Sequence, residues 1–201
     1  VAGKRIVVAG SGPLLLAVAA TLKERGAQVV AIVEQAPLPR VARFAAALLA
    51  TPGKLLQALR LRRQLAGIPY RMNSHVLRAQ GEQQLARVVL QSGARQQEID
   101  CDYLACGFGL IPNTETAGAL GCTITDGAVG VDRWQQTSVA DVYCAGESTG
   151  IGGVDLALVE GRIAGLAALG DLAQAAPHIA SRRRWQSFAA RLAKAFALRE
   201  E

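Results

Sequence analysis

The chain has 201 residues, 51% of them hydrophobic and only 4% aromatic, and carries a formal net charge of +6 from 22 basic and 16 acidic residues. That length suits one large domain or two small ones, and every apolar run approaching the roughly 18 residues of a membrane span is broken by a charge, so the sequence predicts no membrane span. The basic excess gathers in RLRR (60–63) and SRRRW (181–185). With no binding motif and no interleaved aromatics, it reads as solvated helix surface, and nucleic acid is not an expected partner.

In chain order, residues 4–9 form an apolar, β-branched run that predicts a buried strand. Gly10 to Gly12 make a turn, and residues 13–25 are helical, with Leu14, Ala17, Val18 and Leu22 on one face and Gly26 as the stop. Residues 28–33 are a second apolar strand ending at Glu34. Together they predict a β-α-β unit with parallel strands. The segment QAPLPR (35–40) interrupts regular structure, and helices are expected near 41–50 and 53–66. The period then changes: residues 68–81, 84–93 and 95–107 read as three short strands with glycine turns at 81 and 93, a β-meander. A short helix is expected at 114–119, extended pieces at CTITD and GVDRW, and a buried strand at DVYCAG (141–146). Residues 154–169 predict a helix with Leu156, Val159, Ile163 and Leu166 at helical spacing. A last helix at 181–197 carries Trp185, Phe188, Leu192 and Phe196 on one stripe, most simply a core face.

The first turn carries the clearest chemistry. Its G-x-G follows a strand, opens a helix and precedes an acidic residue, Glu34, at the end of the next strand. That context is what a dinucleotide fingerprint requires. Gly10 permits the tight turn. Gly12 lets backbone N–H groups approach a pyrophosphate that sits at a helix N-terminus. Glu34 is placed to accept hydrogen bonds from an adenosine ribose, so NAD or another adenine nucleotide with a free 2′-hydroxyl is the expected ligand. The third glycine position holds Leu15, which implies a wider helix–strand separation or a slightly rotated helix.

LACGFGLIPNTE (104–115) and TSVADVYCAGE (137–147) resemble the two later signatures of the FAD/NAD-linked (pyridine nucleotide-disulfide) oxidoreductase superfamily. Ala105-Cys106-Gly107 and Pro112-Asn113 match the first. Thr137, Val142, Tyr143 and Gly146 match the second, with Glu147 where the family has aspartate. The resemblance implies that Glu147 meets the ribityl chain of FAD, and that the helix opening at Val154 aims its positive N-terminus at the flavin. GSGPLLLAVAATL, CGFGLIPNTE and CAGESTGIGGVDLALVEGRIAG resemble more closely the branch that holds the larger subunits of opine oxidase, hydrogen cyanide synthase, and hydroxyproline and dye-linked proline dehydrogenases. It implies oxidation of a small-molecule amine or amino acid, with electrons passing to a second flavoprotein subunit.

The expected fold is α/β, a Rossmann-like three-layer nucleotide-binding domain of parallel sheet plus β-meander, with an incomplete FAD-domain half. The expected boundaries are 1–103 for an NAD-type domain, 104–175 for the returning half of an FAD domain, and 176–201 for a basic amphipathic helix. The expected cofactor-binding residues are Gly10, Ser11, Gly12, Pro13, Leu14 and Glu34 at one site and Gly107, Gly146, Glu147 and Val154 at the other. The chain then reads as the middle of a longer polypeptide, inactive alone. Two alternatives stay open: a non-catalytic assembly module holding a structural nucleotide, and a single FAD-binding domain without an insertion. Cys101 and Cys106, spaced C-x4-C, read as structural rather than as a redox pair, and neither they nor Cys122 and Cys144 form a disulfide framework. That usage and the lack of a signal-peptide cleavage pattern predict a reducing cytoplasm. His75 and His178 show no metal-ligand spacing, and no catalytic acid or base is legible.

Overall fold

The computed structural model describes residues 1–199. The chain divides into two compact units, one formed by Val1–Gly109 together with the residues from Leu192 onward, the other by Leu110–Arg191.

The first unit is built on a four-stranded parallel sheet. Its strands are β1 (Arg5–Gly10), β2 (Gln28–Glu34), β3 (Tyr70–Arg71) and, later in the chain, β7 (Tyr103–Gly107), ordered β3-β2-β1-β7. β1 and β2 are apolar at successive positions because both sheet faces are covered, as parallel sheets require. Ile6 and Val8 face helices α1 (Leu14–Glu24) and α3 (Pro52–Gln64), in a core with Leu15, Ala19, Ile32 and Leu65. Val7 and Ala9 face the other way, packing with Ala31, Val33, Val88, Leu90 and Cys101. Val88 and Leu90 belong to an antiparallel meander of β4 (His75–Gln80), β5 (Arg87–Ser92) and β6 (Arg95–Asp100). Helices, parallel sheet and meander are the three expected layers. α2 (Leu38–Ala47) and a 3-10 turn (Leu48–Ala50) fill the first expected helical stretch after β2.

Two expected single strands are each two strands in different sheets. Between 68 and 81 the chain leaves β3, turns at Asn73 (φ 52°) and enters β4. Between 95 and 107 it leaves β6 for β7. The switch falls between neighbours: Cys101 N–H donates to Ala86 O of the meander side at 3.0 Å, and Asp102 N–H donates to Arg5 O of β1 at 2.8 Å. Asp102 also accepts from Arg5 N–H (2.8 Å) and Arg5 Nη2 (2.9 Å), fixing the crossing.

The second unit holds α4 (Glu115–Ala119), a hairpin of β8 (Ile124–Thr125) and β9 (Ala128–Val129), a 3-10 turn (Glu147–Thr149), α5 (Val154–Ala168), α6 (Leu172–Ala175) and most of α7 (His178–Ala195). The expected strand at 141–146 is not formed. A single antiparallel bridge, Gln136 to Tyr143, stands there, Asp141 has φ 60°, and the segment is bonded as turns. Nor is GVDRW extended: Asp132 Oδ1 accepts from Trp134 N–H (2.7 Å) and Gln136 N–H (3.0 Å), which curls it. Among the described residues no helix is long and apolar enough to cross a membrane.

Candidate dinucleotide site

Parallel register brings three residues from separate parts of the sequence to one edge: Gly10 pairs with Glu34 on β2 and with Gly107 on β7. This is the carboxyl edge of the sheet, where ligands of such folds bind. A Cβ on Gly10 would lie 1.9 Å from the Gly107 carbonyl oxygen, so only glycine allows β1 and β7 to close this tightly. Ser11 N–H donates to that same carbonyl at 2.8 Å. The chain then turns through Gly12 (φ 104°) and Pro13 into α1, whose first residue is Leu14. Pro13 and Leu14 are exposed at the helix N-terminus, and no acidic residue lies in that first turn. The partial positive charge of the helix end is therefore left for an incoming anion.

Leu15, at the third glycine position, is 2% exposed. A Cβ at Gly107 would meet Leu15 Cδ2 at 3.1 Å. The space that a glycine on the helix would have left is thus provided by Gly107 on the neighbouring strand.

Glu34 is fully buried. Its Oε2 accepts from Gly12 N–H at 2.8 Å and its Oε1 from Ala36 N–H at 2.9 Å. Burial pushes its carboxyl up from the usual carboxylate range, opposed by the hydrogen bonds from Ala36 and Gly12. The carboxylate thereby fixes the glycine turn against β2. The side chain of Gln35 is also buried, and its Nε2 finds no hydrogen-bond partner among the described residues. Gln35 lines a cavity of about 490 Å³ with Arg40, Asn73, Leu198 and Arg199 among its other walls. A steric cradle that only glycine permits, a helix N-terminus with no acidic residue in its first turn, and a cavity lined by Gln35, Arg40 and Arg199 fit an adenine nucleotide with its phosphates.

The second expected cluster lies in the other unit, apart from Gly107. Gly146 (φ 82°) opens the Glu147–Thr149 turn, Glu147 is exposed, and Val154 begins α5 with 64% exposure. What holds this loop is a residue that the sequence reading did not single out. Glu160 of α5 is 3% exposed, and its Oε2 accepts from Gly146 N–H (3.1 Å) and Thr149 Oγ1 (3.1 Å). Arg182 Nε donates to its Oε1 at 3.4 Å. The buried residues of α5 are Leu156, Glu160, Ile163, Ala164 and Ala167. An acidic residue at the centre of an apolar helical stripe was the available signal. Gln35 and Arg199, which line the cavity, were also missed, and for them no local signal exists. All four cysteines are free, with Cys101 buried in the first unit's core. No cluster of metal-binding side chains occurs among the described residues.

A parallel sheet that presents a glycine turn, a helix N-terminus and a buried carboxylate at one edge defines a dinucleotide-binding protein of the Rossmann class. Residues 1–176 match the family of pyridine nucleotide-disulphide oxidoreductases, and the chain belongs to that family. It is 34% identical over 179 residues to hydrogen cyanide synthase subunit HcnB of Pseudomonas protegens, a match covering 82% of this chain and 38% of that protein. It is 29% identical over 204 residues to an opine oxidase subunit of Rhizobium meliloti, covering 95% of this chain and 44% of the relative. Among solved structures, thioredoxin reductase of T. acidophilum matches with a TM-score of 0.57 and 26% identity, over 90% of this chain and 53% of that one. The chain thus spans less than half the length of these curated relatives.

Proposed function

We propose that this chain is the nucleotide-binding part of a flavin-dependent oxidoreductase that oxidises a small amine or amino acid within a multi-subunit complex. Gly10–Leu14 and Glu34 hold NAD, or another adenine nucleotide with a free 2′-hydroxyl. Gly146, Glu147 and Val154 serve the ribityl side of FAD. The single observation that carries the nucleotide assignment is the alignment of Gly10, Glu34 and Gly107 at one sheet edge, where the glycine turn enters α1. The relatives' names, a subunit of a hydrogen cyanide synthase and a subunit of an opine oxidase, support an oxidoreductase that works with a partner subunit. When bound, the nicotinamide or flavin ring supplies the hydride- and electron-accepting chemistry. This chain's residues would bind and orient the cofactors: the α1 N-terminus would hold the pyrophosphate and Glu34 the ribose, while Glu160 fixes the loop that carries Glu147.

Nucleotide choice tests the assignment. Glu34 repels a 2′-phosphate, whereas Arg40 in the adjacent cavity attracts one. Glu34 lies directly on the turn through Gly12 N–H and is expected to decide. Calorimetry should find NAD bound about tenfold more tightly than NADP, a difference of roughly 1.4 kcal/mol. Equal or tighter binding of NADP removes the role given to Glu34.

A further inference from the structure

The chain's last described residues lie on the glycine turn itself. α7 ends at Ala195, and Phe196 N–H continues the helical bonding to Leu192 O at 3.1 Å. Ser11 Oγ donates to the Phe196 carbonyl at 2.7 Å. A Cβ built on Gly12 would lie 3.9 Å from Phe196 Cγ, so the aromatic side chain packs beside that glycine. The ring packs edge-on against Phe44 of α2, with centroids 5.4 Å apart. Further along, Arg199 Nη1 lies 2.9 Å from His75 Nδ1, and Leu198 and Arg199 wall the cavity beside Gln35 and Arg40. Glu34 beneath the turn has no exposed surface.

A dinucleotide needs the glycine against which Phe196 packs. Its pyrophosphate must approach Gly12 and the α1 N-terminus, and its ribose must reach the Glu34 carboxylate. We propose that residues 192–199 form a strap that competes with the nucleotide for the glycine turn, so that binding requires Phe196 to leave and Phe196 sets the affinity. This rests on the reading that the turn holds an adenine dinucleotide. The attachments at the turn include a hydroxyl-to-carbonyl bond and an aromatic pair, contacts that a ligand can replace. Because the binding-competent state is only partly populated, apparent affinity falls by its fraction. Loosening the strap raises that fraction.

The experiment is calorimetry of NAD with the full chain and with Phe196→Ala, joined to hydrogen exchange on the unmodified chain. Phe196→Ala should bind NAD more tightly, by about tenfold if the competent state is a one-tenth population. In the unmodified chain, saturating NAD should speed amide exchange in 192–199. If NAD binds the unmodified chain and binds Phe196→Ala equally or less tightly, the strap is overturned while the nucleotide reading stands. If NAD binds neither, the nucleotide reading falls and takes the strap with it. Should the variant fail to fold by circular dichroism, hydrogen exchange decides: unchanged or slower exchange in 192–199 with NAD bound overturns the proposal.

Discussion

Glu34 and Glu160 are both buried carboxylates, and each accepts a hydrogen bond from the backbone N–H of a glycine at a turn, Gly12 in one unit and Gly146 in the other. An acid in such a place is costly unless its oxygens are filled. Glu34 is filled by Gly12 and Ala36, and Glu160 by Gly146, Thr149 and Arg182. Gln135 is the contrasting case. It is fully buried, has φ 66°, and neither end of its carboxamide has a partner among the described residues. Its backbone is engaged, since its N–H donates to Asp132 O and its carbonyl accepts from Cys144 N–H. The side chain therefore contributes desolvation cost without compensating bonds. Gln135→Met, similar in volume and free of strong polar atoms, is expected to stabilise the fold by about 1–3 kcal/mol. Urea unfolding checks this; an unchanged or lower midpoint would mean that the carboxamide is satisfied in solution, as by a buried water.

At the scale of elements, the junction of β1, α1 and β7 sets the site. Gly10→Ala places a methyl group 1.9 Å from the Gly107 carbonyl oxygen and 2.4 Å from its carbon, both backbone atoms. β7 must move away from β1, and the Ser11 N–H bond to that carbonyl is disturbed with it. A cost of roughly 1–3 kcal/mol is expected, the usual range for overpacking, read as a lowered urea midpoint; an unshifted midpoint would show that the edge is looser than the register implies. The β1-α1-β2 unit was legible because its signals are local. An apolar run, a glycine pair, a helical stripe and Gly26 fall within thirty-odd contiguous residues, and the observed bounds, Arg5–Gly10, Leu14–Glu24 and Gln28–Glu34, differ little from those expected. The switches of sheet at Asn73 and at Cys101-Asp102 were not legible. Cys101 and Asp102 bond to Ala86 and Arg5, which are distant in sequence, and no local pattern records which partner is available. Leu15 shows the same limit. Its fit depends on Gly107, 92 residues away, so the motif's missing glycine could be noticed but not located. The stripe on α7 divides likewise. Trp185 and Phe188 pair edge-on in one unit, while Phe196 lies beyond the helix end against Ser11 and Phe44 in the other.

At the scale of the whole molecule, the two proposed nucleotide sites draw on different units. Gly10 to Gly12 and Glu34 belong to the first, and Gly146, Glu147 and Val154 to the second. FAD needs a pyrophosphate cradle as well as a ribityl anchor. β1 passes through the Gly10–Gly12 turn directly into α1, and that cradle belongs to the proposed NAD site. The second unit then offers the flavin Glu147 without a strand–glycine turn–helix cradle for its phosphates. Such charge-assisted contacts are worth roughly 1.5–3 kcal/mol each. Losing even three, naively summed, weakens affinity by about three decades or more, since about 1.4 kcal/mol is tenfold. Residues 1–201 are therefore expected to purify colourless and to bind added FAD poorly. The second unit also exposes Leu110, Ile111, Val154 and Leu158, and apolar surface of this kind favours self-association. An absorbance spectrum of the purified chain is the check. A stoichiometric yellow protein would assign Gly10 to Glu34 to FAD and make the chain a single flavin-binding domain.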